Sequence, residues 1–261
     1  MQELAGVPLP TLAGLLAFGF CIAGLIHISG VGAGVLLVPS LMLVFDFSPT
    51  HAVATASMFA VLFRMGSVMS IWRSGLLVWP AFRQFVVFAM PVAAVSAALA
   101  GFIPKLLPHY QNNFDSAVRI LVLMALSLAL VSLYSDRLKA VMSQLGVGGL
   151  ASIAGFFMGA SGVGGGVLII PALLSLGTLT ASQSVATASL LTMLLMSASS
   201  LLYALSGAVN WLYLVCMLVG GYASLPLAIK IQKRLSQKTL IDIVAALIVV
   251  SLNGLLIQWL F

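Results

Sequence analysis

Apolar runs of about 20 residues follow one another from Thr11 to Trp259 with short polar connections, and this pattern restricts the fold most severely. A lipid core has no water to bond backbone N–H and C=O groups, so a spanning segment must be a helix or part of a closed barrel. The runs are continuous rather than alternating, which excludes a barrel. A soluble domain of this length carries about a quarter of its residues charged. Here only 6% are charged, and the mean hydropathy is +1.22. The chain therefore reads as an all-α, multi-pass membrane protein with no soluble domain.

The net charge of +6 is not a nucleic-acid footprint. An excess of Lys and Arg in cytoplasmic loops is the ordinary pattern of a membrane protein and explains most of it. Gln2 and Glu3 stand where a secretory signal would be basic, so Thr11–Ile28 reads as a retained span. Cys21 and Cys216 lie in apolar stretches and read as small buried hydrophobes. No disulfide framework, metal site or cofactor is indicated.

The chain is also a repeat. Ser29-Gly30-Val31-Gly32-Ala33-Gly34-Val35-Leu36-Leu37-Val38-Pro39 returns as Ser161-Gly162-Val163-Gly164-Gly165-Gly166-Val167-Leu168-Ile169-Ile170-Pro171, an offset of 132 residues. The same offset, without a gap, carries Val53-Ala54-Thr55-Ala56-Ser57 onto Val185-Ala186-Thr187-Ala188-Ser189, Gly75 onto Gly207 and Trp79 onto Trp211. Two collinear blocks in one register indicate a duplication, with residues 1–140 as the first transmembrane repeat and 141–261 as the second.

Each half reads as five segments. The first half has Thr11–Ile28, a short Val35–Phe45, Thr50–Trp72, Val78–Ile103 and Ser116–Tyr134. The second has Ser143–Met158, a short Val167–Leu176, Ser182–Leu205, Trp211–Ile231 and Leu240–Trp259. Ten residues make roughly 15 Å of helix, half a bilayer, so each short segment either crosses as a half-helix or re-enters. Arg73 with Arg83, Arg137 with Lys139, and Lys230, Lys233, Arg234 and Lys238 all fall in the cytoplasm if the short segments cross. Each half then has an odd number of crossings. The expectation is two inverted-topology repeats, each with several transmembrane helices and one glycine-broken short helix, and the amino terminus outside. The mildly basic Lys105–Arg119 connection, placed outside, fits least well.

Glycine breaks leave backbone groups to be satisfied by protein, water or substrate. Gly30, Gly32 and Gly34, and Gly162, Gly164, Gly165 and Gly166, can adopt positive φ and converge several N–H groups. A helix beginning just after such a nest directs its positive end at the break, which suits an anion. Pro39 and Pro171 are structural, as a first helical residue or a kink. Thr55, Ser57, Thr187 and Ser189, with Ser161 beside the second break, have hydroxyls that can donate to an oxyanion or serve as packing glue. Arg64 lies mid-helix, where an arginine costs about 2.5–3.5 kcal/mol and needs a partner. Its repeat equivalent is Met196, and Asp46 and Asp242 lie near segment ends. Arg64 is a candidate partner for an anion or a freed carbonyl, or a snorkelling cation.

Other chemistries fail on inspection. Gly159-Ala160-Ser161-Gly162 has the pattern of an intramembrane serine protease, yet His27, His51 and His109 are the only histidines, and none follows it. No strand precedes the glycines and no P-loop lysine follows them. The chain reads as no enzyme.

The duplicated Gly-x-Gly-(Ala/Gly)-Gly, apolar run, Pro and Val-Ala-Thr-Ala-Ser resemble the sulfite exporter TauE/SafE family over essentially the whole chain. Ala33 departs from a more usual glycine. The resemblance implies a secondary transporter in a bacterial inner (plasma) membrane, exporting sulfite or an organosulfonate such as sulfoacetate by alternating access around the two breaks. Its partners would be a small sulfur-containing anion and the lipid bilayer, with no nucleic acid, and it admits a homodimer. The alternatives are an anion channel or a permease for another small anion.

Overall fold

The computed structural model describes residues 9–29, 32–73, 75–134, 145–163, 169–170, 172–174, 179–232 and 237–260. Its helices are α1 (Leu9–Ser29), α2 (Ala33–Phe45), α3 (Pro49–Arg73), α4 (Trp79–Leu106), α5 (Gln111–Tyr134), α6 (Gly146–Ser161), α7 (Ala181–Leu205), α8 (Trp211–Gln232) and α9 (Gln237–Leu260). Residues 169–170 and 172–174 are helical where the second short segment is expected. No strand occurs among the described residues. The protein is an all-helical membrane protein.

The helices follow the apolar runs closely. The start of α5 moves to Gln111 from the expected Ser116, because a 3-10 turn at Pro108–Tyr110 leads straight into it. Among the described residues, five helices are long and apolar enough to cross a membrane: residues 10–28, 79–106, 108–131, 182–205 and 211–231. The 25-residue α3 carries Thr50, His51, Thr55, Ser57 and Arg64. Its Ala52–Ser57 stretch is buried inside the protein. Val87, Val95, Leu99, Met124, Leu201, Val219 and Val250 are exposed, as a lipid-facing surface requires. Trp72, Trp79 and Phe82 form an edge-to-face chain beside Arg83, the usual interfacial position of tryptophan.

The two halves interlock. The first helix of each half packs on the fourth helix of the other: α1 on α8, and α6 on α4. Small residues set these distances, since lipid provides no hydrophobic drive and helices associate through close backbone approach. A side chain on Gly155 would run into the Ala89 carbonyl, one on Gly159 into that of Ala93, and one on Gly220 into that of Leu16. The contacts advance together along both chains, so each pair is parallel.

The equivalent long helices α3 and α7 also pack together, but in opposite directions. The start of α3 meets the hairpin after α7, where His51 Nδ1 lies 2.7 Å from the Ala208 carbonyl. The start of α7 meets the connection after α3, where the Val78 N–H donates to Thr187 Oγ1 at 3.3 Å. One face of the protein therefore carries the residues around Asp115 and the other those around Arg83. On the Asp115 face, Lys105 and Arg119 are accompanied by Asp46 and Asp115. The mildly basic connection is thereby offset by acids that linear sequence did not bring beside it.

Gly159→Leu should destabilise the detergent-solubilised protein by about 1–3 kcal/mol through overpacking of α4 on α6. Gly14→Leu, with nothing within 4 Å of the added carbon, should leave it unchanged. Thermal unfolding of the two variants side by side tests the packing assignment.

Candidate functional site

The two glycine breaks come together inside the protein. Gly34, in the first turn of α2, lies so close to the Gly162 carbonyl that any side chain there would collide with it. Gly162 closes α6 in the left-handed region, φ +64°, and its N–H returns to the Met158 carbonyl at 3.1 Å. A carbon added to Gly162 would lie 3.2 Å from Ser57 Oγ and 3.3 Å from Val53. Gly34, Ser57 and Gly162 thus form one locus built from both halves.

The backbone there departs from the paired nests expected. Gly32 is extended, φ −59° and ψ 142°, the geometry of a residue that caps a helix rather than one that turns left-handed. It offers no side chain to the first N–H groups of α2, and all of Ala33–Pro39 is buried. Pro39 sits within α2, not at its first position. At the second break the Gly162 N–H is used by α6, and the Val163 N–H lies 3.3 Å from Ser161 Oγ. Ser161 Oγ itself donates to the Phe157 carbonyl at 2.6 Å. Gly30, Gly164, Gly165, Gly166 and Pro171 lie outside the described residues.

The hydroxyls of the repeated signature separate into two kinds. Thr55 Oγ1 accepts the Asn210 N–H at 3.1 Å, and Thr187 Oγ1 accepts the Val78 N–H. Both threonines are fully buried. Residue 78 is the repeat equivalent of residue 210, so these are the same bond made twice, each from one half to the other. The serines differ. Ser189 Oγ donates to the Val185 carbonyl at 2.7 Å. Ser57 Oγ, in a residue only 1% exposed, has no hydrogen-bond partner among the described residues. Arg64 is half-buried, two turns beyond Ser57 on α3.

Above the break, on the Asp115 face, opens a polar cavity of about 370 Å³ lined by Ser48, Thr50, His51, Lys105, Asp115 and the 206–208 hairpin among others. Thr50 Oγ1 donates to Asp115 Oδ1 at 2.8 Å, fixing the start of α3 to α5.

The family model described as sulfite exporter TauE/SafE matches residues 15–253. The chain belongs to the sulfite exporter TauE/SafE family. It is 25% identical over 252 residues to the probable membrane transporter protein YjnA of Bacillus subtilis (strain 168), covering 91% of this chain and 96% of that protein. It is 25% identical over 246 residues to the probable membrane transporter protein YunE of the same organism, covering 84% and 88%. No solved structure matches. The chain is a multi-pass membrane transporter of the TauE/SafE family.

Several contacts of this TauE/SafE chain escape the sequence. Asp115, His51 and Tyr203, whose hydroxyl donates to the Gly159 carbonyl at 2.7 Å, each meet partners far along the chain. No periodicity announces them. Cys216 is buried as expected, but Cys21 is exposed on α1. An apolar run does not reveal which of its faces meets lipid.

Ser57→Ala should leave thermal stability unchanged or raise it by about 1 kcal/mol, because it deletes a buried hydroxyl that has no partner among the described residues. A clear drop would show that Ser57 has a structural bond. Gly34→Ala should be destabilising, since the Gly162 carbonyl must move.

Proposed function

We propose that this transporter exports a small sulfur-containing anion, sulfite or an organosulfonate such as sulfoacetate, by alternating access around the two breaks. The observation that carries this reading is the meeting of Gly34, Gly162 and the unpartnered Ser57 hydroxyl at one buried point between the halves. The start of α2 directs its positive end there, and an oxyanion would accept from its N–H groups and from Ser57. Ser161, Ser189 and the glycines at 30, 32, 164, 165 and 166 complete the proposed surroundings. Thr55 and Thr187 border it, and Arg64 is proposed as its counter-charge.

The halves are read as inverted repeats, residues 1–140 and 141–261. The opposite directions of α3 and α7, with their reciprocal threonine bonds, support that reading. The Arg83 face, where α3 ends at Arg73 and α8 ends just after Lys230, is assigned to the cytoplasm. The Asp115 face is then external, in a bacterial plasma membrane. A potential negative inside favours exit of an anion.

Efflux of sulfite, sulfoacetate, thiosulfate and chloride from proteoliposomes tests the assignment. Saturable efflux of a sulfur oxyanion or sulfonate is expected. Chloride movement alone, at rates linear in concentration, would leave a channel instead. Arg64→Met should abolish efflux while inserting normally; unaltered efflux would remove Arg64 from the site.

A further inference from the structure

Thr55–Asn210 and Val78–Thr187 are one contact repeated at opposite ends of the antiparallel α3/α7 pair. Each connects the long helix of one half to the backbone N–H immediately before the fourth helix of the other. Both receiving connections are built alike. Gly75 and Gly207 turn the chain at φ +68° and +73°, equivalent positions with equivalent geometry.

The order of groups along α3 gives the external contact its meaning. Thr50 and His51 line the open cavity. Thr55 follows, bonded to Asn210. Ser57 comes next, at the meeting of the breaks. At about 1.5 Å per residue, seven residues separate cavity from break by about 10 Å. The Thr55–Asn210 bond lies between them, at the floor of the vestibule. The same hairpin is also held by His51 at the Ala208 carbonyl. At the other end of the pair, Thr187 precedes Ser189 on α7 as Thr55 precedes Ser57 on α3.

We infer that Thr55 and Thr187 are the ties of two gates, the first closing the path from the breaks to the external vestibule and the second the path to the cytoplasm. Both ties are made in this structure, which is therefore closed on both sides. A single neutral hydrogen bond is weak in net terms, so it can be exchanged within a transport cycle. Breaking one tie frees the start of α8, and breaking the other frees the start of α4. Because α8 packs on α1 and α4 on α6, each release moves a helix pair drawn from both halves. The ties are positioning elements; the ligand meets Ser57 and the breaks. The inference rests on the alternating-access reading and adds which contacts close each side.

The test replaces Cys21 and Cys216 with alanine and introduces Ser57→Cys as a reporter in right-side-out and inside-out vesicles. Labelling by a membrane-impermeant thiosulfonate reads accessibility from each side. Thr55→Val should raise external labelling about fivefold and leave cytoplasmic labelling unchanged; Thr187→Val should do the reverse. Thr55→Ser, which keeps the acceptor, should restore the low external rate. Equal changes on both sides, or none, would overturn the inference. A second arm pairs Thr55→Cys with Asn210→Cys. Oxidative cross-linking should stop efflux and reduction should restore it, whereas full efflux through the cross-linked protein would show a static contact. Sided labelling without efflux of any anion would remove the transport reading and keep the gates. Efflux without sided labelling would remove the gates and keep the transport.

Discussion

Every backbone break inside a membrane must have its polar groups satisfied from elsewhere, and much of this architecture follows from that requirement. The hairpin after α7 and the connection before α4 each present a partly buried N–H, at Asn210 and Val78. In both cases the acceptor is a threonine of the other half. The Gly162 N–H is satisfied by its own helix, yet its carbonyl is pressed against Gly34 of the first half. Neither half supplies all these partners for itself. Each of these two connections takes its acceptor from a residue far along the chain, in the other half of the sequence repeat.

Close packing makes the exchange geometrically feasible. Glycine and alanine on α6 and α4, and on α1 and α8, let backbones approach until an added carbon would strike a carbonyl. Such surfaces derive their cohesion from dispersion contacts and shape. They fix the distance between the halves without filling the space between them with bulky side chains. That leaves the long helices α3 and α7 to meet in the middle, with their small residues and hydroxyls inward and the larger aliphatic residues on other helices facing lipid.

How much of this was legible in sequence depends on how far each property reaches. Apolar runs are local, so helix existence and most helix ends are readable, and α8 starts at Trp211 as expected. The offset of the two glycine blocks is a linear property and survives intact. Contacts between distant residues are not linear. Nothing around Thr55 indicates that its oxygen faces residue 210 rather than a ligand, and nothing around Asp115 indicates Thr50. Even the glycine breaks were only half legible. Flexibility permits a positive φ at Gly32, but the start of α2 selects an extended geometry instead. Side-chain orientation was lost for a similar reason at Cys21, where a uniformly apolar helix carries no facial contrast.

The two halves share the sequence repeat but differ in several polar side chains. Ser57 is unpartnered where Ser189 is bonded to its own helix. Arg64 stands where the second half has Met196. His51 corresponds to Gln183, so the imidazole that holds the 206–208 hairpin has no counterpart in the second half. A perfectly symmetric inverted pair would present identical surroundings to a substrate approaching from either side. Substitution on one half breaks that equivalence while leaving the reciprocal threonine contacts in place. If the two threonine contacts act as the inferred ties, they give two comparable ends, and the unmatched side chains distinguish what each end meets. On the proposed alternating-access reading, directionality would belong to the residues that differ between the halves, and the cycle to those that match.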